Sequence, residues 1–276
     1  MRPKAMMERP LLLVGCGKMG SAMLEGWLEM GLAAEQIYII EPCTLIAEKL
    51  RGRGLGAVAA QSDLPADLNP GIVLFAVKPQ SMDEAASAFT GYQSPNTTFL
   101  SIAAGKTISY FENILGAETA IVRSMPNTPA AVRRGITVAT PNANVADPQR
   151  RICGNLLEAV GDVAWVDDEE LIDAVTALSG GGPAYVFLLT ECMAQAGIDA
   201  GLPAELSGQL ARVTVSGAGE LMRQSDETPS TLRENVTSPG GTTAEALKVL
   251  MADAAWQSLM TRAISAATAR SKELAG

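Results

Sequence analysis

The chain has no histidine. Acid–base catalysis by imidazole is therefore unavailable, and with it Ser-His-Asp and Cys-His nucleophile activation and the several hydroxy-acid dehydrogenases that use a histidine base. Cysteine is scarce as well. Cys16, Cys43, Cys153 and Cys192 are scattered and form no metal-type pair, so with no histidine to help no zinc or other metal site is expected. They read as small, reduced, buried residues of a cytosolic protein. A basic surplus is also missing. The net charge of −9 and a pI near 4.7 argue against nucleic acid and anionic membrane as partners. The first ten residues lack the apolar core of a signal peptide, and no apolar run is expected to approach the length of a membrane span. Aromatics make up only 4% and charged residues 18%.

Hydrophobic residues, at 47%, give ample core for one large domain or two medium ones. Many are alanine, and glycine is abundant too. Small side chains favour close helix–helix contact and a tightly packed oligomer. Leu11-Leu12-Leu13-Val14-Gly15 is a short, wholly apolar run of the kind buried in parallel sheets. A helical pattern follows from Met19 to about Met30. Further strands are expected at Ile37–Ile40, Ile72–Val77, Thr98–Ile102, Ala120–Arg123 and Gly135–Thr140, with helices at Leu45–Leu50 and Asp83–Phe89. This alternation predicts right-handed βαβ units and a mostly parallel sheet. Beyond about Asp167 only helical patterns appear, over Ala184–Ala196, Ala204–Met222, Thr243–Met251 and Ala254–Leu274. The expected organisation is an α/β, Rossmann-like dinucleotide-binding domain over residues 1–168 and an all-helical domain over 169–276, with residues 1–9 disordered.

Gly15-Cys16-Gly17-Lys18-Met19-Gly20 lies between the first strand and the first helix, the setting a dinucleotide fingerprint requires. The first glycine permits the tight turn, the second lets a pyrophosphate approach the backbone, and the third packs helix on strand. Glu41 ends the second strand about 20 residues further on, where a carboxylate bonds a ribose 2′-hydroxyl and repels a 2′-phosphate. On that ground Glu41 leans towards NADH over NADPH. The competing reading is an exposed strand-end glutamate that Pro42 turns away. Ala76-Val77-Lys78-Pro79-Gln80 and Ser101-Ile102-Ala103-Ala104-Gly105 follow strands on the same sheet edge. Ala103 and Ala104 leave room for a flat ring, and Lys78 is placed to meet a phosphate or ribose.

Without histidine, a substrate that needs little protonic help suits the site. An imine qualifies, because its nitrogen protonates near neutral pH and the iminium accepts hydride at carbon. Asn235-Val236-Thr237-Ser238-Pro239-Gly240-Gly241-Thr242-Thr243 is an uncharged, glycine-rich turn that opens onto a helix. Thr242-Thr243-Ala244-Glu245 has a capping-box pattern. The helix N–H groups beyond it can hold a carboxylate, and a threonine hydroxyl can bond a ring nitrogen. Read alone, the segment fits a well-capped helix equally well.

Taken together these segments resemble the pyrroline-5-carboxylate reductase family. Arg123-Ser124-Met125-Pro126-Asn127-Thr128-Pro129-Ala130 and Leu178-Ser179-Gly180-Gly181-Gly182-Pro183-Ala184-Tyr185 match as well, in family order and over nearly the whole chain. The resemblance implies reduction of 1-pyrroline-5-carboxylate to proline with NADPH or NADH, in a dimer intertwined through the helical domain, with dimers forming decamers in many members. It implies that Gly15–Gly20, Ala76–Pro79 and Ile102–Ala104 line the dinucleotide and that Asn235 touches it near the nicotinamide. It further implies that Ser238, Gly240, Gly241 and Thr242 hold the substrate carboxylate, that Thr243 is the catalytic hydrogen-bonding residue at the ring nitrogen, and that Glu169 approaches the ring. Two departures are Gly181, where the family usually has serine, and Met251, where an acid or amide is common. Arg123 and Asn127 read as structural. The rivals are a β-hydroxyacid dehydrogenase and a non-catalytic nucleotide sensor. The first needs a catalytic lysine in a glycine-rich pattern, and the helical part has only Lys248 and Lys272, neither in one.

Overall fold

A computed structural model of the protein describes residues 7–275. Most of the stretch expected to be disordered, residues 1–6, lies outside them, whereas Met7 is buried. The residues separate into two compact units, residues 1–180 with 267–276, and residues 181–266.

The first unit is built on strands β1 (Leu11–Val14), β2 (Ile37–Ile40), β3 (Gly56–Val58), β4 (Ile72–Phe75), β5 (Thr98–Ser101), β6 (Ala120–Met125), β7 (Gly135–Pro141) and β8 (Gly161–Trp165). They form one sheet in the order β3-β2-β1-β4-β5-β6-β7-β8. The pairs from β3 to β6 are parallel, β6 and β7 are antiparallel, and β8 runs parallel to β7. The 3-2-1-4-5-6 order is that of a doubly wound dinucleotide fold, whose ligands bind at the strands' carboxyl ends where the order reverses. Strands β1, β4 and β5 are wholly buried, as expected for a sheet covered on both faces.

Helices α1 (Lys18–Glu29), α2 (Thr44–Arg51), α3 (Met82–Ser87), α4 (Ile108–Leu115), α5 (Asp147–Leu157) and α6 (Leu171–Val175) belong to this unit. Trp27 of α1 is fully buried and its indole N–H donates to the Leu156 carbonyl at 2.8 Å, fixing α1 on α5. On the other face Phe75 stacks on Phe99 and Phe111 with centroids 6.0 and 5.7 Å apart.

The second unit comprises α7 (Gly182–Asp199), α8 (Ala204–Gln224), α9 (Pro229–Asn235), α10 (Thr242–Leu250) and the start of α11 (Trp256–Ala275), whose last turns belong to the first unit. Ser207 of α8 donates its hydroxyl to the Ala194 carbonyl of α7 at 2.6 Å, one of the contacts that close the helix pair. The unit buries little. Phe187, Leu188, Leu210, Val213 and Leu259 are among many large apolar residues left exposed.

One expectation is corrected here. The stretch Leu171–Asp199 is long and apolar enough, by length and composition, to cross a membrane, although only 11% of its apolar window is buried. A π-helical turn over Thr176–Gly180 follows α6, Gly181 stands outside both helices, and Pro183 is tolerated in the first turn of α7.

Candidate active site

The turn after β1 holds its shape for steric reasons. Gly15 has φ +94°, and a Cβ there would lie 2.9 Å from Val77 Cγ1 and 3.1 Å from the Ala76 carbonyl oxygen. At Gly20 a Cβ would fall 2.4 Å from the Gly15 carbonyl oxygen. Gly17 is the exception, with no atom within 4 Å of its would-be Cβ. Helix α1 starts directly after Gly17, and no side chain caps it. Its first N–H groups therefore face an open cradle, which fits a pyrophosphate.

Glu41 belongs to this cradle. It is 9% exposed, and its Oε2 accepts the Cys16 N–H at 3.2 Å while Oε1 accepts the Cys43 N–H at 2.9 Å. Pro42 does not turn the carboxylate away. Burial, with Glu41 and Glu25 adding to it, pushes the Cys16 thiol up to about 11, so Cys16 is neutral near pH 7 and serves through its backbone.

The loops after β4 and β5 meet the same sheet edge. The Ala76 N–H donates to the Val14 carbonyl at 2.8 Å, which lays Ala76 and Val77 along Gly15. Lys78 is exposed in extended backbone ahead of Pro79. The Ser101 hydroxyl oxygen accepts the Ala103 N–H at 3.2 Å, and the Ile102 N–H donates to Phe75. Ala104 is exposed. Gly15–Gly20, Glu41, Ala76–Pro79 and Ile102–Ala104 thus lie at the ends of four strands that are neighbours in the sheet.

Two clusters at this edge escaped the sequence reading. Lys106 lies 4.0 Å above the Tyr110 ring and 3.5 Å from Asp83, and the Tyr110 hydroxyl donates to Asp83. Burial and Asp83 raise the pKa of Tyr110, and that hydrogen bond lowers the pKa of Asp83. In the second cluster Arg123 Nη1 donates to Glu169 Oε1 at 2.7 Å, and the Ile108 N–H donates to the same oxygen at 2.8 Å. Asn127 donates to the Ser179 carbonyl and accepts the Ile136 N–H, which is a turn-shaping part. Sequence separations of 61 and 46 between the partners of Glu169 explain why no local pattern announced them.

In the second unit the turn before α10 is a separate device. The Gly241 N–H donates to the Ser238 carbonyl at 3.0 Å, and Gly240 has φ +68°. The expected capping box is absent. Gly241, not Thr242, is the N-cap, no side chain caps it, and Glu245 instead accepts Lys248 at 2.6 Å. Starting the helix at Thr242 moves Glu245 one place beyond the reach a capping box needs. Consequently, among the described residues, the N-terminus of α10 carries no side-chain cap, and Ser238, Thr242 and Thr243 stand exposed around it. Asn235, at the end of α9, donates its amide to Glu227 at 3.0 Å.

A doubly wound sheet with an open glycine cradle at its reversal point defines an NAD(P)-dependent oxidoreductase, and the model of NADP oxidoreductases, coenzyme F420-dependent, matches residues 11–105. Residues 169–274 match the pyrroline-5-carboxylate reductase dimerisation family. A pyrroline-5-carboxylate reductase of Pseudomonas aeruginosa is 38% identical, with 96% of each chain covered. The chain belongs to the pyrroline-5-carboxylate reductase family. A solved reductase from Coxiella burnetii is 32% identical with a TM-score of 0.91, covering 98% of this chain and 100% of that one. Another, from Plasmodium falciparum with NADP bound, is 30% identical with a TM-score of 0.81, covering 99% and 100%. Neither rival reading, the β-hydroxyacid dehydrogenase or the nucleotide sensor, finds support among these relatives.

Proposed function

We propose that the chain reduces 1-pyrroline-5-carboxylate to L-proline, the last step of proline synthesis. The observation that carries the assignment to this particular substrate is the uncapped N-terminus of α10, entered through a turn, Asn235–Thr243, that carries no charged side chain. Its N–H groups at Thr242 and Thr243, with the Ser238 hydroxyl and the Gly240-Gly241 backbone, bind the substrate carboxylate. The Thr243 hydroxyl bonds the ring nitrogen and orients the C=N bond. The imine brings its own proton, so no histidine is needed. When bound, a reduced nicotinamide would supply the hydride to C5, with the electron pair of the C=N bond passing to nitrogen to leave the neutral ring amine. Protein catalysis is then largely positioning. Oxidation of NADH or NADPH on addition of 1-pyrroline-5-carboxylate tests this. No oxidation of either by folded enzyme sinks it.

For the dinucleotide, Gly15–Gly20, Ala76–Pro79 and Ile102–Ala104 form the binding surface. NADH is preferred over NADPH, because Glu41 is a fixed carboxylate at the turn and residues 42–46 bring no basic side chain beside it. The assembly is a homodimer formed through the exposed apolar surface of the second unit, and such dimers associate further into a decamer. Cys16 and Cys153 are buried, whereas Cys43 and Cys192, expected to be buried as well, are exposed; all four are free thiols, which supports a cytoplasmic setting.

A further inference from the structure

Glu169 was expected to approach the substrate ring. In the structure its Oε1 is taken by two groups of the protein, the Arg123 guanidinium at 2.7 Å and the Ile108 N–H at 2.8 Å. Arg123 is 3% exposed and Glu169 29%. Such a carboxylate does two jobs. It neutralises a cation buried in β6, and it satisfies the first N–H of α4, where an anion is favoured by the helix dipole.

The placement of that N–H matters. Ile108 closes the segment that begins at Ile102, directly after β5. The segment is fixed at its start by the Ile102 N–H to Phe75 and the Ala103 N–H to Ser101. Midway, Gly105 adopts φ +70° against the backbone of Leu274, and Lys106 reaches Asp83. At its end the Thr107 hydroxyl caps the Tyr110 N–H at 3.1 Å, leaving Ile108 to Glu169. Arg123 is in turn buried, and among the described residues its Nε has no partner. Without Glu169 the guanidinium would be a buried, uncompensated charge beside β5, its register partner being Ser101 at the root of the loop.

We propose that Arg123 and Glu169 are a positioning pair that sets the Ile102–Thr107 loop, and through it the affinity for the reduced dinucleotide. The inference rests on the reading above that this loop lines the dinucleotide. Glu169 then acts through the protein rather than by touching the substrate. Arg123, read from sequence as a structural residue, acquires a functional consequence.

The test is fluorescence titration of NADH and NADPH, with steady-state KM for each substrate and Tm, on wild type, Glu169→Gln, Glu169→Ala, Arg123→Met and the double variant Glu169→Ala with Arg123→Met. Glu169→Ala and Arg123→Met should each weaken dinucleotide binding about tenfold or more, and the double variant little further, because one interaction is lost only once. Glutamine keeps an acceptor for Ile108 but no charge for Arg123. Its dinucleotide Kd should rise about threefold, with the KM for 1-pyrroline-5-carboxylate within about twofold of wild type. If Arg123→Met fails to fold, Glu169→Gln decides the matter. An unchanged dinucleotide Kd with a raised imine KM overturns the proposal and makes Glu169 a substrate contact. Variants that bind dinucleotide like wild type overturn it as well. A wild type that binds neither dinucleotide instead defeats the functional reading on which the pair depends.

Discussion

The carboxylate of Glu41 holds the backbone of Cys16, the residue between the first two glycines of the dinucleotide turn, at 3.2 Å. Its other oxygen holds Cys43 at 2.9 Å, so the charge at the end of β2 is fixed and largely desolvated. A fixed carboxylate accepts from ribose hydroxyls without reorganising, whereas a 2′-phosphate must approach it against unscreened repulsion. Replacing Glu41 with serine should raise the NADPH-to-NADH ratio of kcat/KM by about tenfold, or about 1.4 kcal/mol. Efficiency with NADH itself should fall, because Cys16 loses its acceptor. An unchanged ratio in steady-state kinetics would show that Glu41 shapes the turn and does not select the cofactor.

The glycines of that turn can be told apart by alanine. Gly17 has open space around its would-be Cβ, whereas at Gly20 the methyl would meet the Gly15 carbonyl oxygen at 2.4 Å. Gly17→Ala should leave stability within about 0.5 kcal/mol of wild type yet weaken dinucleotide binding, because the methyl fills space a pyrophosphate needs. Gly20→Ala should lose both, with stability down by about 1–3 kcal/mol. Gly26→Ala is the control for pure packing, since its methyl would strike the Ala159 carbonyl oxygen at 2.6 Å, in the turn just past the end of α5. Thermal melts with nucleotide titrations separate the three. Equal nucleotide affinity in Gly17→Ala would mean that the cradle is not the phosphate site.

What could be read from sequence follows from physics of short range. Strands β1 and β4 are buried on both faces, so their residues form the continuous apolar runs Leu11–Val14 and Ile72–Phe75. By contrast β3 has only three residues, and β8 alternates exposed with half-buried positions as Gly161-Asp162-Val163-Ala164-Trp165, so neither produces such a run. Helix α5 begins Asp147-Pro148-Gln149-Arg150-Arg151, which looks like a loop until Leu156 and Leu157 are seen buried beneath it. The capping box failed by one residue, a distance that propensity does not resolve. In the candidate site the glycine turn was legible because its chemistry is contiguous. The pairing of Arg123 with Glu169 was not, because β7, α5 and β8 lie between them in the chain.

Two buried thiols predict an alkaline limit to stability. Burial pushes Cys16 up to about 11 and Cys153 up to about 12, from an ordinary value of 9.0. A folded pKa above the unfolded one means that the unfolded chain loses its proton first. The stabilisation is therefore full below about pH 9 and is lost as pH climbs through the window towards 12. The Tm of wild type should fall steeply above pH 9, and Cys153→Ala should flatten that slope even if its Tm at pH 7 is lower. Equal slopes would exclude thiol ionisation as the cause. In the native state Cys43, which is exposed, should react with a thiol reagent before Cys16 or Cys153.

The helical unit predicts its own dependence on association. Leu206, Leu210 and Val213 of α8 are exposed at i, i+4 and i+7, which makes one apolar stripe. Placing glutamate at both Leu210 and Val213 should convert the assembly to smaller species by light scattering, with reductase activity lost alongside. Retention of the wild-type mass would remove this stripe from the interface.

Thr243 carries the sharpest prediction about chemistry. It stands in the first turn of α10, exposed, where no side chain caps the helix. Valine has the same branched shape, so Thr243→Val deletes the hydroxyl while preserving the volume at the helix start. If that hydroxyl holds the imine nitrogen in line with the hydride, kcat should fall about 10- to 100-fold, the range expected for losing one oriented hydrogen bond of about 1.5–3 kcal/mol to a charged group. Dinucleotide Kd should not change, because Thr243 serves the imine alone. Serine should restore most of the rate, since it returns the hydroxyl but not the methyl. A loss confined to KM for 1-pyrroline-5-carboxylate would mean that Thr243 binds ground state and transition state alike, and that orientation comes from the Ser238–Gly241 turn instead.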